Sequence, residues 1–318
     1  MKRKIIVHIG SHKTGSTAIQ TFFSKNRKEL RERGVVYPEN ACPEIAEFGH
    51  HMIPWAFVTN EQFLPTLYAE KYLIQDKTTL FEKVKSECKT DETMILSSEE
   101  FSTLTKEEVC SLKEWLSDFN VEIILYLRRQ DKYLESAYKT SVLSGSVNTN
   151  FIEFCKYQRF NLNYLELIKT WEDVFENITI RSYSDSNISD DIVGDFLGLV
   201  DLSELHDKNQ KERENPSLNA EVIEVIRALR LRNEPESSIE VIKNNAILLS
   251  LGNKTSTFLT TDLYNSIKDT YSSSNEMIHK KYNCNLNFDE HAVYTNSIDS
   301  LEQCLIAVFR ELIIKDIK

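Results

Sequence analysis

A chain of 318 residues with 38 Lys and Arg against 49 Asp and Glu carries a formal net charge of −11, and 41% of it is hydrophobic. That length supplies one large or two small domains with ample core, the composition excludes wholesale disorder, and no apolar run reaches the ~20 residues that span a bilayer. The acidic balance argues against a nucleic-acid coat, which leaves a basic footprint, yet the first 34 residues hold nine Lys and Arg against two Glu, +7 set against −18 elsewhere.

In chain order, Lys4 to Ile9 is a short apolar, β-branched run, the pattern of a buried parallel strand. From Ser16 the positions Ile19, Phe22, Phe23, Asn26 and Leu30 recur at helical spacing, with Arg31 and Arg33 in the last turn and Gly34 as the stop. Further strands are expected at Thr93 to Ser97, Val121 to Leu127 and Ile178 to Tyr183, and helices near residues 77–89, 105–118, 131–143 and 163–175. Strands alternating with helices predict an α/β fold, a parallel sheet flanked by helices. After Asn215 the pattern turns helical: Pro216-Ser217-Leu218-Asn219 reads as a helix start, and Thr260 to Tyr282 and Ser300 to Ile314 follow. Residues 233–258 carry no clear pattern and read equally as lid, linker or surface. No boundary signal divides the chain, so the expectation is a single domain over 1–318, with a sheet-containing core (1–212) and a helical carboxy-terminal part (213–318) packed on it.

Six scattered cysteines show no C-x-x-C and no zinc-like spacing, which predicts neither disulfide framework nor metal site. The basic amino terminus has too short an apolar stretch for a signal peptide, so a cytoplasmic protein without a transmembrane segment is expected.

Chemistry concentrates after the first strand. HIGSHKTGST places Gly10 and Gly15 at the spacing of a phosphate-binding loop, and Thr17 on its final hydroxyl position. The fold is thus P-loop-like, but Ser16 stands where a nucleoside triphosphatase has its lysine, and the lysine here is Lys13. Neither candidate neighbouring strand ends in Asp for Mg²⁺: one finishes MILSSEE, the other IILYLRR. Backbone N–H groups and the positive helix end still suit an anion. A second basic site follows in VEIILYLRRQDKYLESAY, where Arg128 ends a strand and Ser136 sits eight residues on, a pair able to grip a phosphate. Surface ion pairs with Asp131 or Glu135 are the alternative for these arginines.

Together the segments IGSHKTGSTAIQ and LYLRRQDKYLESAY resemble the 5′-phosphosulfate loop and the 3′-phosphate motif of sulfotransferases that use 3′-phosphoadenosine 5′-phosphosulfate (PAPS), in the form seen in bacterial enzymes acting on glycans and surface polysaccharides. The resemblance implies that Lys13, Thr14, Gly15, Ser16 and Thr17 bind the 5′-phosphosulfate, with Lys13 stabilising charge on the leaving phosphate. It implies that Arg128 and Ser136 bind the 3′-phosphate and that Arg213 closes over the same nucleotide. The partners implied are this nucleotide donor and a carbohydrate or other hydroxylated acceptor, with no metal and no nucleic acid.

The acceptor's proton needs a base. Cytosolic sulfotransferases end the corresponding strand in Lys-Thr-His, and Glu99 falls where that His stands, which ranks Glu99 first and Glu100 next. The adjacent pair His50 and His51 in EFGHHMIPWAF is the rival. Arg181 is expected to pair with Asp185, and Trp55, Phe57, Tyr68, Tyr72, Tyr157, Phe160 and Tyr164 fall in segments able to line a sugar cleft, although most suit packing. The competing functions are a nucleotide or small-molecule kinase and a non-catalytic nucleotide-binding protein of the sulfotransferase type.

Overall fold

A computed structural model of the chain describes residues 3–44, 48–59, 77–157, 162–184, 188, 190–206, 218–249, 257–290 and 292. Five strands, β1 (Arg3–Gly10), β2 (Val35–Val36), β3 (Thr93–Ser98), β4 (Phe119–Leu127) and β5 (Ile178–Ser182), form one parallel sheet in the order β2-β3-β1-β4-β5. The α/β class expected from the alternation is the one observed. β1 lies at the centre because it can be buried on both faces: Ile5, Val7, His8 and Ile9 have no exposed surface, and Ile6 only 1%.

The connections decide where a ligand can sit. From β1 the chain runs to the far edge at β2, returns through β3, and then crosses β1 to reach β4. The order therefore reverses at β1, and the crevice at the carboxyl ends of β3, β1 and β4 is where such sheets hold ligands. The register levels those ends: Ile9 pairs with both Ser98 and Leu125, and Gly10 pairs with Tyr126. Glu99, one residue past Ser98, and Arg128, two past Tyr126, thus share an edge with the loop that follows Gly10.

Where the elements differ from expectation, the cause is local. The helix expected from Ser16 to Arg33 breaks at Asn26, whose φ of −106° leaves the helical range while its side-chain amide donates to the Phe22 carbonyl at 2.8 Å. Two helices result, α1 (Ser16–Lys25) and α2 (Arg27–Glu32). β2 has two residues, too few to show a period. Helices at Met52–Phe57, Phe151–Tyr157 and Ile192–Leu199 gave no sequence signal, and residues 236–249 of the unreadable stretch form one more. The helix expected at Ser300 to Ile314 lies outside the described residues. Among the described residues no helix is long and apolar enough to cross a membrane.

The chain gathers into two compact units: residues 1–129, 161–207 and 274–287 form the first, and residues 130–160, 208–273 and 288–318 the second. Each unit draws on residues before and after 212. The first holds the whole sheet. The described elements of the second are helical, and Tyr138 lies fully buried among them. Its ring meets Phe151, Phe154 and Phe258, and its hydroxyl donates to Glu224 at 2.6 Å, a carboxylate also held by Arg227.

Candidate active site

The loop between β1 and α1 is held by its own side chains. Thr14 Oγ1 donates to the Ser11 carbonyl at 2.6 Å, Ser11 Oγ to the Tyr126 carbonyl at 3.0 Å, and Arg128 Nη1 to the Lys13 carbonyl at 2.9 Å. Lys13 and Gly15 both adopt positive φ, 67° and 80°. Glycine takes that conformation freely, whereas a lysine takes it only when its surroundings enforce it. α1 starts without a side-chain cap and without an acidic residue in its first turn, so the positive end of its dipole is not offset locally.

Ser16 supplies the most telling atom of the loop. Its residue is 5% exposed, and its hydroxyl is buried with no hydrogen-bond partner. Leaving such a group unsatisfied costs about 1–3 kcal/mol. It packs on bare backbone, since a Cβ added at Gly10 would lie 2.1 Å from Ser16 Oγ. Thr17, next along, is exposed, and Thr14 spends its hydroxyl within the loop.

Opposite the loop, Ser98 ends β3 and Glu99 opens a 3-10 turn, Glu99–Thr103. Gln20 of α1 donates its amide to Glu99 Oε2 at 2.9 Å. Burial would raise the Glu99 pKa, but the field of His51, the Gln20 hydrogen bond and the field of His12 together bring it below the usual carboxylate value. Glu100 goes the other way: burial, reinforced by the neighbouring Glu99 charge, lifts it to about 7, with Trp55 opposing. Two adjacent carboxyls thus have separated titrations. Lys13 is pulled below an ordinary lysine by burial, with Glu99 opposing that shift and Arg128 adding to it.

The histidine pair divides. His50 accepts from the Ser97 backbone N–H at Nδ1, 2.8 Å, and Nε2 donates to the Pro38 carbonyl, 2.9 Å, while burial drives its pKa down to about 3. Both ring nitrogens are taken, so His50 is a strut between β3 and the segment before it and not a candidate base. His51 bonds Ser98 Oγ through Nδ1 at 2.7 Å and stacks on Trp55. Burial lowers its pKa, and Glu99 counteracts this. Two residues of this cluster had no role in the sequence reading, His12 and Gln20. Gln20 was open to discovery, since it stands four positions after Ser16 and so shares its helix face. His12 joins the cluster through the fold: burial lowers its pKa, with Glu99 opposing and Lys13 and His51 adding.

Of the remaining expected residues, Arg128 sits beside the loop, with its guanidinium over the Tyr183 ring at 5.4 Å and its carbonyl accepting from Tyr164 Oη at 2.6 Å. Ser136 belongs to the second unit, on the helix Gln130–Ser144. Arg213 lies outside the described residues. Arg181 pairs with Asp195 of the helix Ile192–Leu199, and Tyr126 Oη donates to the same carboxylate at 2.6 Å. The expected partner Asp185 lies outside the described residues. Trp55, Phe57 and Tyr164 are at most 8% exposed and are packing residues, not an open sugar platform. Tyr68, Tyr72, Phe160 and the Tyr157 side chain lie outside the described residues.

No protein-family model matches the chain. A protein of Archaeoglobus fulgidus whose printed description is "Uncharacterized protein" is 29% identical over 198 residues, 59% of this chain and 53% of that protein. The chain therefore spans about half the length of the curated relative it matches. Among solved structures, the crystal structure of a sulfotransferase from Alicyclobacillus acidocaldarius matches with a TM-score of 0.51 and 14% identity, over 90% of this chain and 98% of that one. The class this defines is one of fold: a parallel α/β sheet with a loop and helix after its central strand.

Proposed function

We propose that the protein is a sulfotransferase that moves the sulfuryl group of PAPS to a hydroxyl or amine of an acceptor, a carbohydrate in the first instance. The observation that carries the reading is the orphaned Ser16 hydroxyl at the uncapped start of α1, beside the sheet edge that bears Glu99, whose carboxyl is held below the usual range. The fold shared with a protein described as a sulfotransferase supports it, as do the two sequence segments that resemble the family's nucleotide-binding motifs.

The residues present fit the nucleotide. Ser16 Oγ lacks a partner that a phosphate oxygen would supply, and the Ser16 and Thr17 N–H groups at the α1 start suit the same oxygens. When bound, PAPS supplies an activated sulfuryl group on a phosphate leaving group. Lys13 meets the charge that develops on that phosphate as the S–O bond breaks, and its depressed pKa reflects a dry setting in which such a charge pair is strong. Glu99 takes the proton as the acceptor oxygen bonds to sulfur, while Gln20 orients its carboxylate. His51, fixed by Ser98, lies within the field of Glu99 and favours its ionised form. The assignment of Ser136 and Arg213 to the 3′-phosphate rests on the sequence resemblance.

Adenosine 3′,5′-bisphosphate is expected to raise the melting temperature, and ATP with Mg²⁺ to leave it unchanged; the reverse pattern would favour a kinase. Sulfate from labelled PAPS should then appear on a glycan acceptor, and its failure to reach any of a panel of hydroxylated acceptors would leave nucleotide binding without transfer.

A further inference from the structure

Arg128 Nη1 reaches back to the carbonyl of Lys13, 115 residues earlier. Lys13 holds φ at 67°, a conformation that strains a non-glycine residue. Two hydrogen bonds tie the loop to the end of β4, Ser11 Oγ to Tyr126 O and Arg128 Nη1 to Lys13 O, and the second acts on the strained residue itself. A trans peptide is planar, with its N–H pointing opposite to its C=O. Holding the Lys13 carbonyl toward Arg128 therefore turns the Thr14 N–H the other way.

Arg128 is itself firmly placed. Its guanidinium lies over the Tyr183 ring, its carbonyl is held by Tyr164 Oη, and the same Tyr183 ring approaches Gly15 so closely that a Cβ there would come within 3.0 Å of it. Ring, guanidinium and loop backbone form one packed stack, in which the guanidinium provides the only directional contact to the Lys13 carbonyl among the described hydrogen bonds.

We infer that Arg128 is a positioning residue for the loop, setting the left-handed turn at Lys13 so that the loop N–H groups face an anion, over and above any contact it makes with a 3′-phosphate. This rests on the nucleotide-binding reading above and extends it: one guanidinium couples the state of the 5′ site to whatever occupies the 3′ site. Removing it lowers affinity even for a nucleotide that has no 3′-phosphate.

The test compares adenosine 3′,5′-bisphosphate with adenosine 5′-monophosphate by calorimetry on the full chain. Arg128→Ala should weaken both ligands, the monophosphate at least tenfold, and Arg128→Lys, which keeps one donor, should recover part of the loss for the monophosphate. Arg128→Met retains the stem packing over Tyr183 without any donor and should behave as Arg128→Ala; it serves if the alanine variant unfolds. Amide exchange at Thr14 and Gly15 in the ligand-free protein should quicken in the same variants. If the donor-less variants lose affinity for the bisphosphate alone, with the monophosphate and the exchange unchanged, Arg128 is a 3′-phosphate ligand only and the inference is overturned. If the wild-type protein binds neither nucleotide, the proposed function falls and the inference falls with it.

Discussion

Lys13, Gly10 and the two carboxyls after β3 make separable demands. Lys13→Ala should lower transfer about 10²–10³-fold, the scale of losing one group that stabilises the leaving charge, with little loss of melting temperature because burial already disfavours the charged form of the side chain; turnover at the wild-type level would refute its role. Gly10→Ala should destabilise the protein by about 1–3 kcal/mol and abolish nucleotide binding, since the new Cβ would overlap Ser16 Oγ. For pH dependence, Glu99 lies below the ordinary carboxylate value and stays ionised through neutrality, while Lys13 deprotonates below the 10.5 of a free lysine. The kcat/KM profile should therefore be flat around neutral pH and fall on the alkaline side earlier than a free lysine would dictate. Glu100 has the opposite sign. Its folded pKa of about 7 lies above the reference value of 4.5, so the folded protein holds a proton that the unfolded chain releases, and the group destabilises the fold increasingly as pH rises from 4.5 to 7. Glu100→Gln should raise stability at pH 8, by up to about 3 kcal/mol from the shift, and leave it unchanged near pH 4; equal melting temperatures at pH 8 would contradict this. At this scale the loop was legible because its glycines, lysine and hydroxyls are contiguous, whereas the roles of His50 and His51 were not. Their partners, Ser97 and Ser98, lie 47 residues away and are brought beside them only by the sheet.

At the scale of elements, the caps and pairs that hold helices against the sheet can be tested one at a time. Asp195 on the helix Ile192–Leu199 accepts from both Tyr126 of β4 and Arg181 of β5. Asp195→Ala leaves a buried hydroxyl and a part-buried guanidinium without that acceptor, and should cost about 2–3 kcal/mol in denaturant unfolding, whereas Asp195→Asn retains an acceptor and should cost less. Arg181 and Asp195 also line a cavity of about 420 Å³ together with Asn283 and Asn285. The strands of five or more residues were readable from composition and length. The break at Asn26 was not, because apolar periodicity continues through it and the decision rests on a side chain that competes for a helix carbonyl. The two-residue β2 exists only because β3 offers it a partner.

For the whole molecule, the uneven charge takes on a location. The positive amino-terminal segment forms β1, the loop, α1 and α2 of the first unit, and most of its arginines are engaged: Arg27 and Arg33 with Glu39, Glu29 and Glu204, and Arg31 with Glu92. Part of the surplus is thus offset by carboxylates from later in the chain, while Lys13 lies within the field of Glu99. The described cysteines are all free. Burial pushes Cys42, Cys155 and Cys284 up to about 12, which keeps them as thiols, while Cys110 is exposed. Alkylation at pH 7.5 followed by mass spectrometry should label Cys110 well before those three; rapid labelling of Cys284 in the folded protein would show that its burial is wrong.

The sequence by itself determined the alternation of strands and helices, and it placed two glycines, a lysine and several hydroxyls in the loop after β1 without the lysine position of a triphosphate site, because each of these depends on residues close together in the chain. The tertiary structure decided which residues stand opposite that loop. Parallel strands align their ends only through long crossovers, so the meeting of Lys13 with Arg128, of Gln20 with Glu99, and of His51 with Ser98 is set by sheet order and register. Burial at that meeting point raises both carboxyls, and the His51 field with the Gln20 hydrogen bond brings Glu99 alone back down, a distinction that two adjacent glutamates in a linear sequence do not contain.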